Sequence, residues 1–363
     1  MGNPGTLFSK GNASAFSQRF EVQYFRPLQI LSYQIDYRLW HLNPSGFRLT
    51  NILLHWFVAL SAYQFISLVS GQKMLALFSS MVFCVHPVNT SVVAYISGRA
   101  DALAALFILL SFICWIKASN FDGRWILSIV FFVFSLFSKE VAVALPVFLL
   151  GYELLFRKGS KSLKRSFLKL APFLAMLFIY LLVRTWNVGP GRLQPFNVSF
   201  PAFLLTVSKI LFLYAAMLLF PHPLYLGHDT ALATSLHPGA LLFFAGLFFA
   251  AVLSIWFYKR SKDALFFSIW FFLFLFAQFG FMHADHVGRV LTAEHWAYLP
   301  SIGFYFVMGS LIRQFVHKIF GNRALGSGAQ IAGGGVVGLL TLLCIVGTVR
   351  ANRYWMSELL LYD

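Results

Sequence analysis

The chain contains 363 residues, of which 59% are hydrophobic and only 11% are charged. A soluble domain carries about 25% charged residues, so this composition argues against an ordinary soluble enzyme and favours an integral membrane protein. The formal net charge is +16, but the basic residues fall between apolar segments. Basic loops between apolar segments orient membrane helices, so we expect no nucleic-acid partner.

Apolar segments long enough to predict membrane helices follow one another from residue 49 to residue 349, since a crossing needs about 20 mainly apolar residues. They lie at roughly 49–70, 74–88, 101–116, 125–138, 141–156, 167–183, 203–220, 239–258, 264–282, 298–312 and 329–349. The pattern predicts an all-α, polytopic membrane protein whose transmembrane core spans residues 49–349.

Three basic clusters orient these segments, at 157–169, 259–262 and 313–323. Short basic loops belong on the cytoplasmic side, yet three apolar segments separate the first cluster from the second. Segment 203–220 carries Lys209 in its middle, and a lysine at the bilayer centre costs about 2.5–3.5 kcal/mol. We therefore predict ten transmembrane helices plus one interfacial or re-entrant helix at 203–220.

This topology places both chain ends on the extracytoplasmic side. Residues 1–48 are expected to form a loop or amphipathic segment there, and residues 350–363 the start of a C-terminal extension. The loops that hold most of the unusual polar residues fall on the same side. A binding site is expected where polar groups from several loops converge.

Five segments carry recognisable motifs in chain order. They are YFRPLQILSYQIDYRLWHLNPSGFRLTNILLH at 24–55, HPVNTSVVAYISGRAD at 86–101, SKEVAVALP at 138–146, AEHWAYLPSIGF at 293–304 and RANRYWMSELLLY at 350–362. Together they resemble the corresponding blocks of the transmembrane O-mannosyltransferases that carry C-terminal tetratricopeptide (TPR) repeats. That family belongs to the GT-C class of multispanning glycosyltransferases.

The resemblance implies a GT-C-like fold and a membrane enzyme that transfers a sugar, for example mannose. The donor would be a polyprenyl-phosphate sugar, and the acceptor a protein or glycan on the extracytoplasmic face. The expected location is the bacterial inner membrane, or the endoplasmic reticulum in a eukaryote. The chain looks like the membrane core of a bacterial-type relative, truncated at both ends.

Two departures from the family pattern leave an alternative open. The acidic loop that supplies the catalytic aspartate in GT-C enzymes is expected upstream of this chain, and Ser91 stands where the family usually has Glu. The alternative is a non-catalytic membrane scaffold that presents TPR repeats to a protein partner. A transporter is disfavoured, because no paired broken helices recur in matching halves.

The implied reaction needs a carboxylate to accept the acceptor proton and cations to hold the phosphate leaving group. The candidate catalytic carboxylates are Asp101 and Glu294. The candidate contacts to the substrate or lipid phosphate are Arg26, His86, Arg99, Lys139, Glu140, Arg289, His295 and Tyr298.

Three of these residues have simpler structural interpretations. Arg26 follows two aromatic residues and could reach lipid headgroups as an interfacial anchor. His86 precedes Pro87, which ends a helix, so the imidazole could serve only as a cap. Tyr298 could belong to an aromatic belt at the membrane surface.

The remaining charged motifs could form local ion pairs instead of a site. Asp101 favours the first turn of a helix, where Arg99 could pair with it. Lys139 and Glu140 occupy a very tight turn and could lock that hairpin by pairing with each other. Charges placed this close to lipid usually serve a function, however.

No cofactor is firmly predicted, although a divalent metal stays open. His283, Asp285 and His286 lie near Glu294 and His295 in the sequence. These side chains include ligand types that divalent ions accept, but their spacing does not match a known metal motif.

Overall fold

The computed structural model describes residues 24–119, 121–157, 160–188, 200–221, 261–279, 292–320 and 327–355. The regular structure of these ranges is helical, which confirms the predicted all-α class. The α-helices are α1 (Pro27–Trp40), α2 (Pro44–Ser70), α3 (Lys73–Val85), α4 (Thr90–Ala94), α5 (Arg99–Lys117), α6 (Gly123–Ser138), α7 (Leu145–Phe156), α8 (Ser160–Val188), α9 (Phe200–Leu219), α10 (Lys262–Phe279), α11 (Tyr298–Phe320) and α12 (Ser327–Tyr354). Short 3₁₀ helices span Pro87–Asn89, Ile96–Gly98, Glu140–Ala144 and Glu294–Ala297.

Several of these helices are suited to cross a membrane. Within the described ranges, four helical segments are long and apolar enough: Pro44–Ser70, Ile96–Lys117, Arg165–Val188 and Glu294–Lys318. Lys73–Val85 and Pro87–Ala94 together form a fifth candidate, bent by 53°. The chain is therefore a multi-pass membrane protein. Ten crossings stay a prediction, and the predicted segment 239–258 lies outside the described residues.

The bend between α3 and α4 follows from Pro87, as the sequence predicted. Proline lacks a backbone N–H and cannot continue the helical hydrogen bonds, so α3 ends at Val85. The Asn89 side-chain amide then donates to the Phe83 carbonyl oxygen at 2.7 Å. This bond satisfies one of the carbonyl groups that the end of α3 leaves without a partner.

The helices alternate in direction between two ends of the bundle. Ser111 of α5 and Ser128 of α6 each donate to the other's carbonyl oxygen at 2.7 Å, which fixes these helices as an antiparallel pair. Asp101 therefore lies at one end of the pair. At the other end, Arg124 donates to the carbonyl oxygen of Lys117 at 3.0 Å. We call these the Asp101 end and the Lys117 end.

Helix α1 lies across the Asp101 end of the bundle. Its Gln29 side chain donates to the Ser97 carbonyl oxygen just before α5, and its Asp36 accepts from Thr50 near the start of α2. The opposite face of α1 exposes apolar side chains, including Ile35 and Leu39. Such a helix is suited to lie at a membrane surface, although the side of the membrane stays a prediction.

Aromatic rings fill the centre of the bundle. Phe65 of α2 lies 4.8 Å from Trp270 of α10, and Phe148 of α7 stacks on Phe274 at 4.4 Å between ring centroids. Gly303 lets α11 approach α10 closely, because a Cβ atom there would lie 2.3 Å from the Phe267 carbonyl oxygen. This core holds the helix ends that carry the polar residues.

Candidate functional site

Two ion pairs, one buried and one partly buried, join separate parts of the chain at the Asp101 end. Arg26 Nη2 lies 2.8 Å from Glu140 Oε2, and Lys139 Nζ lies 2.6 Å from Asp101 Oδ1. We call these four residues the ion-pair cluster. The local pairs considered from the sequence are therefore wrong: Lys139 does not pair with Glu140, and Asp101 does not pair with Arg99.

The turn after α6 explains why adjacent residues have partners on different helices. Lys139 has an extended backbone (φ −159°, ψ 146°), and Glu140 begins the following 3₁₀ helix. Successive side chains of an extended segment point in opposite directions. Lys139 therefore extends to α5, while Glu140 extends to the residue that precedes α1.

Burial and pairing both act on the charges of this turn. Burial alone would raise the pKa of Glu140, but the charge and hydrogen bonds of Arg26 outweigh it, and the pKa falls below its usual value. Burial lowers the pKa of Lys139, and the nearby carboxylate of Asp101 opposes that effect. Each charge is therefore held in the low-dielectric interior by its partner, so the cluster depends on all four members.

His295 lies beside the ion-pair cluster. Its imidazole interacts electrostatically with Asp101, Lys139 and Arg26. Its Nδ1 atom is buried and has no hydrogen-bond partner among the described residues. An imidazole nitrogen in this position can donate to or accept from a ligand that enters the cluster.

Tyr298 is held by a buried histidine, His55, which is not among the predicted site residues. His55 Nε2 lies 2.9 Å from the Cys84 carbonyl oxygen, which can only accept, so Nε2 carries the proton. His55 Nδ1 therefore accepts from the Tyr298 hydroxyl at 2.7 Å. The Tyr298 side chain also interacts electrostatically with Asp101, which places it at the edge of the cluster.

Glu294 is buried next to Tyr214 of α9, with which it interacts electrostatically. The Tyr214 hydroxyl donates to the Ala293 carbonyl oxygen and accepts from the Ala293 N–H, which positions the adjacent glutamate. Glu294 and Tyr298 are four residues apart but do not share an α-helical face. Glu294 lies in a 3₁₀ helix with three residues per turn, and α11 begins only at Tyr298.

Arg99 is fully buried and saturated with protein contacts. Its Nε donates to Asn51 Oδ1 at 2.7 Å, and its Nη2 donates to the Phe47 carbonyl oxygen at 2.8 Å and pairs with Asp36. Its guanidinium also lies 4.8 Å from the Tyr33 ring centroid. These contacts join α1, α2 and α5, so they favour a positioning role over direct phosphate binding.

The other predicted residues are less closely tied to the cluster. His86 caps the 3₁₀ helix that follows it, accepting from the Val88 N–H, and its ring packs 5.2 Å from Tyr305. Arg289 lies outside the described residues, as do His283, Asp285 and His286. Within the described ranges, no three His, Cys, Asp or Glu side chains are grouped so that they could hold a metal.

Two further residues near the cluster were not predicted. Tyr180 of α8 is buried and interacts electrostatically with Glu140, Arg26 and Arg184. Arg184 lies one helical turn further along the same face of α8. The sequence signal was an arginine four residues after a tyrosine in an otherwise apolar segment.

The Lys117 end carries a different arrangement of charges. Glu153 accepts from the Trp115 indole at 2.9 Å and from Ser166 at 2.8 Å, and pairs with Arg157 at 3.2 Å. Lys262 donates to the carbonyl oxygen of Leu155. This end therefore gathers basic residues of the first two predicted clusters, opposite the ion-pair cluster.

Comparisons with known proteins find a partial similarity to protein O-mannosyl-transferases. No protein-family model matches it. It is 39% identical over 99 residues to human protein O-mannosyl-transferase TMTC2, a match covering 27% of this chain and 12% of that protein. For human TMTC4 the identity is 34% over 140 residues, covering 32% and 19%. For mouse TMTC1 it is 38% over 110 residues, covering 30% and 11%. The similarity thus spans less than a fifth of each relative.

Proposed function

We propose that this chain is the membrane core of a glycosyltransferase that moves a sugar from a polyprenyl-phosphate donor to a protein or glycan hydroxyl. The observation that carries the proposal is the ion-pair cluster, which holds two cations and two carboxylates, buried except for the partly exposed Arg26, at one end of a membrane bundle. The similarity to protein O-mannosyl-transferases supports this class of reaction.

The proposed orientation puts the cluster on the extracytoplasmic face. Arg124, Arg157 and Lys262 lie at the Lys117 end, and basic residues accumulate on the cytoplasmic side of membrane helices. The proposed topology has ten crossings, with α9 interfacial or re-entrant. The bacterial inner membrane and the endoplasmic reticulum both fit this orientation.

In the proposed reaction, the acceptor oxygen bonds to the anomeric carbon while the bond from that carbon to the phosphate oxygen breaks. The phosphate leaves with the electron pair, and a carboxylate takes the proton of the acceptor hydroxyl. Lys139 and Arg26 stabilise the charge that develops on the phosphate.

The geometry supports Asp101 as the carboxylate that accepts the proton. Lys139 is the hydrogen-bond donor that holds its Oδ1 in the structure. A donor phosphate beside Lys139 would compete for that ammonium group and leave the Asp101 oxygen available to the acceptor. Glu294 is the second proposed carboxylate, while His295 and Tyr298 would contact the sugar. Arg99 and His86 would position their helices.

The direct test is turnover by the full chain in lipid nanodiscs. A polyprenyl-phosphate mannose with radioactive mannose serves as donor, and release of polyprenyl phosphate is measured. Asp101→Asn should lower the rate by about 10²–10⁴-fold, the usual contribution of a general base. Glu153→Gln is the matched control, since it neutralises a buried, paired carboxylate at the opposite end.

Two results would contradict the proposal. Unchanged turnover in both Asp101→Asn and Glu294→Gln would remove the carboxylates from the reaction. A folded wild-type protein that turns over no donor, whatever its sugar, would favour the scaffold that presents TPR repeats.

A further inference from the structure

A corner of the Asp101 end has buried hydrogen-bonding atoms without partners in the part of the chain that the structure describes. Tyr180 is only 3% exposed, yet its hydroxyl has no hydrogen-bond partner among the described residues. The buried Nε of Arg184 and the Oε1 atom of Glu140 also lack one within those ranges. A buried polar group that lacks a partner is destabilising, so three such groups together indicate a missing ligand.

The three atoms belong to one corner. Tyr180 interacts electrostatically with Glu140, Arg184 and Arg26. The tyrosine ring packs against Phe25 at 6.4 Å and Phe137 at 6.2 Å between centroids, which fixes its position beside the turn after α6. Tyr180 and Arg184 are four residues apart on α8 and therefore lie on the same helix face.

The charges of this corner favour an anion. Arg26 is paired with Glu140, whereas Arg184 makes no ion pair within the described ranges. Among the described residues of this corner, one positive charge is therefore left over. The Tyr180 hydroxyl and the Arg184 guanidinium are donors, and arginine matches phosphate oxygens in both charge and geometry. The unused Glu140 oxygen would accept from a hydroxyl group.

The corner also borders the lipid-facing surface of α8. Leu182 is 53% exposed and Trp186 is 69% exposed, on either side of the half-buried Arg184. Arg184 lies four residues before the end of α8, which corresponds to about 6 Å along the helix axis. An amphiphile could therefore place its headgroup in the corner while its chain stays in lipid.

We propose that Tyr180 and Arg184 bind the phosphate of the lipid-linked donor, with the sugar directed toward Glu140. A polyprenyl-phosphate sugar provides anionic oxygens, hydroxyl groups and an apolar tail together, which fits each feature of this corner. This inference rests on the proposed function and adds two residues to it. Arg26 and Lys139 then act from the other side of the phosphate.

Binding without turnover tests the inference separately from the reaction. The full chain is placed in phosphatidylcholine nanodiscs, and the affinity for radioactive polyprenyl phosphate is measured by a proximity assay. Arg184→Gln should weaken binding about tenfold or more, the lower limit for a charged hydrogen bond. Tyr180→Phe should weaken it about threefold to tenfold, and Arg184→Lys should lose less than Arg184→Gln.

The matched control is Arg165→Gln, the same substitution on an exposed arginine toward the other end of α8. It should leave the affinity unchanged. Because Arg184 makes no hydrogen bond to the described residues that would be lost, Arg184→Gln should also leave the thermal unfolding midpoint close to that of wild type. A loss of binding with an unchanged midpoint separates a ligand contact from a structural role.

Several results would overturn the inference. The first is that wild type and Arg184→Gln bind polyprenyl phosphate with the same affinity. The second is that wild type binds polyprenol, which has no phosphate, as tightly as polyprenyl phosphate. The third is that wild type does not bind polyprenyl phosphate. Equal competition by phosphatidic acid or by inorganic phosphate would assign the corner to an ordinary headgroup or a free anion. If Arg184→Gln loses binding but wild type shows no turnover, the inference holds and the proposed function fails.

Discussion

The pair between Lys139 and Asp101 should be strongly coupled energetically. Both side chains are buried, and Lys139 Nζ lies 2.6 Å from Asp101 Oδ1. Removing one partner of a buried pair leaves the other charge uncompensated in the interior, at a cost of about 3–5 kcal/mol. Lys139→Met should therefore lower the free energy of unfolding by about that amount.

Removing both charges should cost much less than the sum of the two single changes. Asp101→Asn combined with Lys139→Met leaves no buried unpaired charge, and methionine fills similar space. We expect a coupling energy of about 0.5–3 kcal/mol between the two positions. The structure predicts that this coupling energy stabilises the fold, because the pair has good geometry and is nearly inaccessible to water.

The assay is a double-mutant cycle on unfolding in mixed micelles with increasing sodium dodecyl sulfate. The control cycle joins Asp101→Asn to Glu153→Gln, since these residues lie at opposite ends of the bundle and should add within about 0.3–0.5 kcal/mol. Additive effects of Asp101→Asn and Lys139→Met would refute the argument that these residues form one buried pair.

Three further predictions concern other contacts. Arg99→Lys should lower the free energy of unfolding by about 2–4 kcal/mol, because lysine cannot make both the contact to Asn51 and the contact to the Phe47 carbonyl oxygen. An unchanged unfolding midpoint would contradict this prediction. Gly303→Val should disturb the packing of α11 on α10 and lower the free energy of unfolding by about 1–3 kcal/mol, measured as a lower unfolding midpoint. Gly338→Val, at an exposed glycine, is the control and should leave the midpoint unchanged. The pKa of Glu140 is lower in the folded state than its usual value of about 4.3. Its contribution to the free energy of unfolding is therefore complete above pH 4.3, or about that value, and is lost as the pH falls through the folded-state pKa. Arg26→Gln should flatten this acid dependence, and an identical acid profile in the variant would contradict the pairing.

The sequence predicted the membrane class, the helix break at Pro87 and the tight turn at Lys139 because each depends on local chemistry. Apolar composition, a missing N–H group and a short polar interruption can all be seen in one stretch of chain. The apolar segment 141–156 was less informative. Its first residues form a 3₁₀ helix, and α7 begins only at Leu145, because hydrophobicity does not specify backbone hydrogen bonding.

The partners of the charged residues could not be predicted from the sequence. Arg26 and Glu140 are separated by 114 residues, and Asp101 and Lys139 by 38. Sequence proximity favours pairs between neighbouring residues, but the extended backbone at Lys139 directs neighbouring side chains apart. His55 was missed because a histidine in an apolar helix gives no sign of the tyrosine that it contacts 243 residues later.

The turn after α6 has a mechanical consequence. Lys139 and Glu140 share one peptide unit, yet one is attached to α5 and the other to the start of α1. A displacement of α1 would therefore pull directly on the backbone that carries the Lys139 ammonium group. A ligand that moves Glu140 would in the same way shift the Lys139 ammonium group relative to the Asp101 carboxylate. This shift would need no change in the helices between them.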